Sequence, residues 1–515
     1  MDRVLVVIGR TRHKMVVAEL DEAVRRGWSF VELRLDFLSK AIDFKRLQPH
    51  KQCPWVATLR RPADGGRFAG TEDERLAILR QAIVAGCFDW VDLEMDVAEK
   101  IRRFGPVKRI ISYHNFQETP ADLEDIYNTL CTKDGDVFKL AVMVNTPADI
   151  GRIIKLQQAA KKPSVIFGMG ELGFLTRFTS IKYNAPWMYA AFNSDRSLAP
   201  GMPSVDDLKT TYPVRSIDPD TQFFGVVGDP IAHSLSPVLH NHMLLRTRTN
   251  AIYLPLKVPS GELVEAIKAF DTLPIRGLSV TIPHKESAAA LATEKEPFVE
   301  LSHAANTLVK KADGTLCAFN TDHAAAVESL KYFLGTHLRE DGTYPALDQL
   351  DVLILGSGGA ARALAHGLHV EKAHLTIAAR NEDKGHALAA EVHCKYIPWE
   401  GRHNARCDVL INCTPIGMHP KVDETPVHHS YLQPGMVVFE TVYTPETTLL
   451  VREAKSRGCG VVTGVEMFVR QAAMQFEMFT HKVPDLDKMR SILRKAMSPL
   501  VKSLEKEAED AEKGE

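Results

Sequence analysis

Lys139 lies inside the apolar run VFKLAVMV and Lys285 closes SVTIPHK, two settings in which a lysine has to be explained. A lysine in an apolar strand is costly unless its charge is paired or its amine works neutral. A desolvated amine has lowered basicity and can attack a carbonyl to form a Schiff base. Around Lys139 the sequence offers suitable partners. His114 ends KRIISYH, and a histidine is suited to moving protons during imine formation and the elimination that follows. In FVELRLD the alternation puts Glu32, Arg34 and Asp36 on one side of a strand; WVATLR ends in Arg60, and WVDLEM carries Asp92 and Glu94 with the same period of two. Arg34 and Arg60, with Arg177 in the loop after a later strand, could hold a carboxylate by paired hydrogen bonds. A purely structural ion network would not require a lone lysine next to a histidine.

The second constellation begins at GDPIAHSLSP, where Ser234 and Ser236 follow an early strand and precede a helix. Serine there is common as an N-cap, but two serines flanking one residue could equally hold a hydroxyl-rich or carboxylate ligand. SVTIPHK adds Thr281 and Lys285; AANT and NTD add Asn306 and Asp322. Alone, Lys285 reads as a solvated surface lysine. With an aspartate in reach it becomes a proton-transfer pair. In DVLILGSGGAARALAHGL, Gly356, Gly358 and Ala361 match G-x-G-x-x-A between a strand and a helix. Glycines there let the backbone approach a pyrophosphate, and the helix N-terminus supplies amide donors. The next strand, AHLTIAAR, ends at Arg380 rather than an acid, and Lys384 lies one turn on. That pairing suits the 2′-phosphate of NADP.

The elements that must position these groups fall into two sets. Up to about position 200, eight apolar runs alternate with helix-length segments: VLVVIG, FVELRLD, WVATLR, WVDLEM, KRIISYH, VFKLAVMV, PSVIFGM and WMYAAF. This predicts an α/β fold with a (β/α)8 TIM barrel over 1–210, in preference to an open doubly wound sheet, with catalytic groups at the strands' C-terminal ends. TTYPVRSIDPDTQ supplies a polar linker over 211–221. Beyond it, the pattern predicts a substrate-binding α/β domain over 222–325, completed by 465–500. A Rossmann domain is expected over 326–464 and a charged tail over 501–515.

The 515 residues are too many for one core. A formal charge of −2 gives no reason to expect nucleic acid or an anionic membrane as partner, and no apolar run reaches the ~20 residues of a spanning helix. The sequence reads as a strand from the fourth residue, so no leader is expected ahead of it, and its eight scattered cysteines form no Cys-x-x-Cys pair. We therefore expect reduced thiols, a cytoplasmic location and no metal. Nothing in the sequence sets an oligomeric state.

The first half resembles the type I 3-dehydroquinate dehydratases through ELRLD, TLR followed by GG, DLE, SYHNF, DVFKLAVM, GMGELGFLTR and APG followed by SVDDL. The resemblance implies Lys139 as the Schiff-base lysine and His114 as general acid and base. Glu32, Arg34, Arg60 and Arg177 are implied as substrate ligands. Where the family has Glu after its third strand, this chain has Asp64. Where the lid reads Ser or Thr, Ala, Pro, Gly, Gln, this chain reads Leu198, Ala199, Pro200, Gly201, Met202. Each lost hydrogen bond is worth on the order of 1 kcal/mol, so weaker binding or slower turnover is expected.

The second half resembles shikimate dehydrogenase over about 222–500, through GDPIAHSLSP, SVTIPHK, AANT, NTD, GSGGAARA, INCTPIGM, ETVYTP and TGVEMFVRQ. The resemblance implies Lys285 and Asp322 as the catalytic pair, and Ser234, Ser236, Thr281, Asn306, Tyr443 and Gln471 as shikimate ligands. For NADP(H) it implies the turn Gly356, Gly358, Gly359, Ala360 and Ala361, the 2′-phosphate group Arg380, Asn381 and Lys384, and Thr414, Gly464 and Met467. Retention of Ser236 favours shikimate over quinate. Together the halves imply small-molecule partners: 3-dehydroquinate, 3-dehydroshikimate and shikimate.

Overall fold

The computed structural model describes residues 2–336 and 346–498. The tail expected over 501–515 and the last two residues of the segment 465–500 lie outside the described residues. The chain forms two compact units. The first holds the residues up to Pro237 with Arg248–Arg276 and Ile282–His284; the second holds Val238–Thr247, Gly277–Thr281 and the chain from Lys285 onward.

In the first unit all eight expected strands form: β1 Val4–Ile8, β2 Val31–Arg34, β3 Trp55–Thr58, β4 Trp90–Glu94, β5 Lys108–Asn115, β6 Val137–Met143, β7 Ser164–Met169 and β8 Met188–Ala191. They make one sheet in the order β7-β6-β5-β4-β3-β2-β1-β8, and every recorded pair is parallel. Pairing of β1 with β8, Val4 opposite Met188, curls the sheet into a nearly closed barrel. The rings of Phe167 on β7 and Tyr189 on β8 approach to 6.1 Å.

The two ends of this barrel are filled differently. Phe30, Trp90 and Trp187 stand at strand beginnings and meet edge to face, Trp187 lying 5.2 Å from Phe30 and 5.3 Å from Trp90. Burying each such ring contributes on the order of 2 kcal/mol and closes that end without polar groups. The charged residues gather at the opposite, C-terminal ends of the strands, where barrel enzymes work. Register aligns them: Glu94 lies opposite Ser112, and Ser112 opposite Lys139.

Two details differ from expectation. β2 stops at Arg34, so Asp36 sits on the 3-10 turn Leu35–Phe37 rather than on the strand. The stretch expected as a polar linker contains a 3-10 turn, Val214–Ser216, with Val214 and Ile217 buried. Its two apolar residues pack inward because two prolines and four polar residues around them can face water. The first unit also contains β9 Gln222–Gly228 and β10 Ala251–Lys257, paired in parallel over seven residues.

In the second unit, β11 Ile275–Val280, β13 Thr307–Lys310 and β14 Leu316–Phe319 run antiparallel, with β12 Glu294–Lys295 parallel to β14. A separate six-stranded parallel sheet comprises β15 Asp351–Leu355, β16 His374–Ala379, β17 Lys395–Pro398, β18 Val409–Asn412, β19 Val437–Glu440 and β20 Gly460–Val462. Its order, β17-β16-β15-β18-β19-β20, is the Rossmann order. Ligands in such sheets bind beyond the strand C-termini where the order reverses, here between β15 and β18. The helix Gly464–Thr480 returns to pack on the helix Thr321–Thr336.

Candidate active sites

Lys139 points from β6 into the barrel mouth, its side chain 8 % exposed. Its Nζ lies 3.5 Å from Asp92 Oδ2 and 4.1 Å from the Tyr189 ring centre. Asp92 is already occupied: Arg60 reaches the same oxygen at 2.7 Å, and the Ser112 hydroxyl donates to Oδ1 at 2.6 Å. Burial lowers the basicity of Lys139; Asp92 and Glu32 work against that, and Arg60 and Arg34 add to it. The amine thus has only a long ion pair, to a carboxylate it shares with the closer Arg60, an arrangement that suits a nucleophilic lysine.

His114, on β5, lines the same cleft as Lys139. Its Nδ1 is 2.9 Å from Arg60 Nη1. A guanidinium only donates, so Nδ1 accepts and the proton of the neutral ring sits on Nε2. Burial, then the charges of Arg60, Lys139 and Arg34, hold the imidazole well below its ordinary pKa. Arg60 remains protonated although burial opposes it, because Asp92 and Glu94 surround it.

Glu32 is buried on β2 and lines the cleft. Arg34 also faces it, but Asp36 accepts from its Nε at 2.9 Å and its Nη2 at 2.8 Å, which leaves Nη1 to face a substrate. Arg177 is on the helix Gly170–Lys182, not in a loop, because GELGFLTRF continues helically straight from β7. It is 1 % exposed, stacks 4.4 Å over Phe167 and donates from Nη2 to the Pro200 carbonyl in the lid at 3.1 Å. Nε and Nη1 have no hydrogen-bond partner, and burial lowers its pKa to about 9. A buried guanidinium with two unmatched donors suits an anion. Asp64 is drawn to Arg61, and Leu198, Ala199 and Met202 form the lid side of the cleft.

The sequence placed Asp92 among the groups around Lys139 without giving it a role, and did not name Tyr189 as a site residue. The spacing of Asp92 and Glu94 in DLE was the available signal for the first; Tyr189 sits in an apolar run and gave none.

In the first unit, Ser234 and Ser236 stand at the start of the helix Ser236–Arg246, the Ser236 amide donating to Ser234 Oγ at 3.3 Å. In the second unit, Lys285 opens the helix Lys285–Leu291 and Asp322 lies in the first turn of Thr321–Thr336. Nζ donates to Oδ2 at 2.6 Å, the side chains being 26 % and 16 % exposed. Asp322 gains from the helix N-terminus, where negative charge is favoured. Thr281 is half-buried after β11.

Asn306 is buried and largely engaged. Its Oδ1 accepts from the Thr321 amide and the Thr307 hydroxyl, each at 2.8 Å, and its Nδ2 donates to Thr321 Oγ1 at 2.9 Å. Only one Nδ2 hydrogen is left for a ligand. Gln471 Nε2 turns back to the Phe468 carbonyl at 3.0 Å. One turn on, the buried Gln475, absent from the sequence-derived set, ties Ser279, Asn306 and Thr307 together. Tyr443 packs 4.9 Å from Phe468.

The dinucleotide turn has the required shape. Gly356 has φ +111°, and a Cβ there would lie 3.1 Å from the Cys413 carbonyl oxygen. A Cβ at Gly358 or Gly359 would meet nothing within 4 Å, so the turn's outer face is open to a pyrophosphate. Ala360 and the buried Ala361 follow in the helix Gly359–Val370. Arg380 and Lys384 are exposed beyond β16, and Asn381 caps the next helix by accepting from the Lys384 amide at 2.9 Å. Three further sequence-derived cofactor residues have contacts within the protein. Thr414 spends its hydroxyl on Asn412 Oδ1 at 2.7 Å. Gly464 is wedged so closely that a Cβ would lie 2.6 Å from the Thr441 carbonyl oxygen. Met467 packs on the Rossmann core.

A barrel with a desolvated lysine beside a neutral histidine, and a second unit that combines a hydrogen-bonded lysine–aspartate pair with a Rossmann sheet, define a two-site enzyme: a Schiff-base lyase joined to a dinucleotide-dependent oxidoreductase. The family model for type I 3-dehydroquinase matches residues 4–219. Those for the shikimate dehydrogenase substrate binding domain and the shikimate 5′-dehydrogenase C-terminal domain match 226–308 and 464–494. A bifunctional 3-dehydroquinate dehydratase/shikimate dehydrogenase of Arabidopsis thaliana, described as chloroplastic, is 34 % identical over 485 residues, 91 % of this chain and 80 % of that one. A Bacillus cereus shikimate dehydrogenase (NADP(+)) is 35 % identical over 279 residues, 53 % of this chain and 97 % of its own. A crystal structure of shikimate dehydrogenase in complex with NADP+ superposes with a TM-score of 0.50 at 30 % identity, covering 54 % of this chain and 97 % of that one. This chain belongs to the bifunctional 3-dehydroquinate dehydratase/shikimate dehydrogenase family.

Proposed function

We propose that the chain carries out two consecutive steps, dehydration of 3-dehydroquinate to 3-dehydroshikimate and NADPH-dependent reduction of that product to shikimate. The observation that carries the first step is Lys139, buried, lowered in basicity and 3.5 Å from a carboxylate that Arg60 already neutralises. Its lone pair adds to the substrate ketone, and loss of water gives an imine. The imine acidifies the adjacent C–H; His114 takes that proton and returns one to the leaving β-hydroxyl. Hydrolysis of the imine releases product and the free amine. Arg177, with its unmatched donors, holds the substrate carboxylate, and Glu32, Arg34 and Arg60 orient the ring.

In the reductase half, NADPH supplies a hydride to the carbonyl carbon when bound. Lys285 delivers a proton to the carbonyl oxygen, and Asp322, hydrogen-bonded at 2.6 Å, orients the ammonium and balances its charge. Arg380 and Lys384 favour the 2′-phosphate, and the glycine turn at 356–359 accepts the pyrophosphate. Ser234, Ser236, Thr281, Asn306, Tyr443 and Gln471 are the shikimate ligands in this reading, and the retained Ser236 favours shikimate over quinate.

The working boundaries are a barrel over 1–210, a linker over 211–221, a substrate domain over 222–325 completed by 465–500, a Rossmann domain over 326–464 and a tail over 501–515. The eight cysteines are all free thiols, in keeping with a reducing compartment, and we place the enzyme in the cytoplasm. No helix among the described residues is long and apolar enough to cross a membrane. Three measurements test the scheme: enone absorbance from 3-dehydroquinate, NADPH oxidation with 3-dehydroshikimate, and kcat/KM for shikimate against quinate. Absence of enone formation would reduce the barrel to a structural module.

A further inference from the structure

Glu440 ends β19 and is completely buried, yet each hydrogen bond it accepts comes from a neutral group. Asn412 Nδ2 donates to its Oε1 at 3.0 Å and its Oε2 at 3.2 Å. The Val442 amide donates to Oε1 and the Thr448 hydroxyl to Oε2, both at 2.9 Å. Thr448 in turn accepts from the Val451 amide at 3.3 Å, which directs its own proton toward Glu440. Burying a carboxylate without a cation is expensive, and a purely structural role would be filled more cheaply by an amide.

The same network reaches the two loops that follow β18 and β19. Asn412 Oδ1 accepts from the Thr414 amide at 3.0 Å and the Thr414 hydroxyl at 2.7 Å, while its Nδ2 also donates to the Ile416 carbonyl at 3.2 Å. The Thr441 amide and hydroxyl donate to the Asn412 carbonyl at 3.1 and 2.7 Å. On the other side, Thr414 Cγ2 lies 3.4 Å from where a Cβ of Gly356, in the dinucleotide turn, would be. One buried carboxylate therefore anchors the loop carrying Thr414 and the loop carrying Tyr443, at the switch point where a Rossmann sheet holds its ligand.

We propose that Glu440 is a positioning residue of the reductase half, whose ionised carboxylate, acting through Asn412, Val442 and Thr448, holds both loops in the geometry that binds the dinucleotide. The proposal rests on the NADPH-dependent reduction described above. Burial raises the pKa of this group to about 7. Its titratable neighbour is Cys413, whose thiol is pushed well above its usual range. As pH falls through 7 the carboxyl takes up a proton. One oxygen then has to donate, although its partners are already donating to it, and the loops slacken.

The test measures KM for NADPH with 3-dehydroshikimate from pH 5.5 to 8.5, in wild type and Glu440→Gln. Glutamine reproduces the protonated, donating form. Loss of one acceptor in a buried charged network should raise KM about tenfold at pH 8.5. The ratio of variant to wild-type KM should fall toward one at pH 5.5, because the wild type has by then reached the same state. Titration of the cofactor's 2′-phosphate is common to both proteins and cancels in the ratio. Thr448→Val, a milder change that removes one donor, should move the wild-type midpoint upward; it keeps the proposal testable should Glu440→Gln not fold. A KM ratio that stays constant with pH, or an unmoved midpoint in Thr448→Val, overturns the proposal. Failure of the wild type to oxidise NADPH at all would instead overturn the underlying reading.

Discussion

Lys139 approaches a carboxylate at 3.5 Å that Arg60 already holds at 2.7 Å, whereas Lys285 has Asp322 at 2.6 Å. The first side chain is 8 % exposed and the second 26 %. An attacking amine needs its lone pair, so its site removes water and gives the nearby anion another cation to neutralise. An amine that donates a proton needs the ammonium form, so its site keeps some water and supplies a dedicated anion. In the proposed scheme, burial and the ownership of the carboxylate, more than the presence of a lysine, separate nucleophile from acid. One polypeptide displays both solutions, and each half serves as a folding control for the other.

Removing either lysine's function should break the comparison most sharply. Lys139→Ala should cut dehydratase kcat by at least about 10⁴-fold, the scale of losing a covalent nucleophile, with reductase kinetics unchanged. Borohydride with 3-dehydroquinate should add mass to wild type and none to the variant. Residual dehydration near the wild-type rate would sink the imine mechanism. Asp322→Asn keeps the shape of the second pair and removes its charge. Reductase kcat should fall about 10²-fold or more, the range of a general acid–base contribution, while enone formation continues. If both activities fell together, the substitution would have damaged the fold and not the proton path.

How far these sites were legible in the sequence depends on the physics that sets each part. Strand alternation placed Glu32 and Arg34 on the inward face of β2, and the glycine spacing at 356–358 located the dinucleotide turn, because both signals are local. Arg177, expected in the loop after the seventh strand, lies on a helix in which Gly173 packs too closely on the Gly168 backbone to carry a side chain, a contact that local sequence does not show. Asp92 as the carboxylate shared by Arg60 and Lys139, and Glu440 as the anchor of two loops, depend on side chains 47 and 28 positions apart in sequence meeting inside a core. No local pattern encodes such meetings. Nor could the sequence show that Thr414 and Asn306 direct most of their hydrogen bonds inward.

A smaller effect sharpens the barrel's side of the comparison through pH. Arg60 donates to His114 Nδ1, and burial with three nearby cations lowers the imidazole's pKa. A lowered pKa means that the neutral, proton-accepting ring persists to more acid solution. Dehydratase kcat, read after the imine has formed, should therefore hold as pH falls through 6.5 and drop only below it. A midpoint at or above 6.5 would mean that Arg60 does not control this ring in the substrate complex.

The smallest expected effect concerns the lid. Met202 lines the cleft beside Leu198 and Ala199, on a turn closed by its own amide donating to the Ala199 carbonyl at 3.2 Å. The backbone of the lid is thus in place, held to Arg177 through Pro200, and only the side-chain chemistry departs from the family pattern. Met202→Gln returns an amide to that position without altering the turn. One added hydrogen bond to a substrate hydroxyl or carboxylate should raise dehydratase kcat/KM about fivefold, mostly through KM, and leave the reductase untouched. An unchanged or lower kcat/KM would mean that the thioether suits the cleft as it stands. In that case the barrel's binding strength rests on Arg177 and its two unmatched donors, and the lid contributes shape alone.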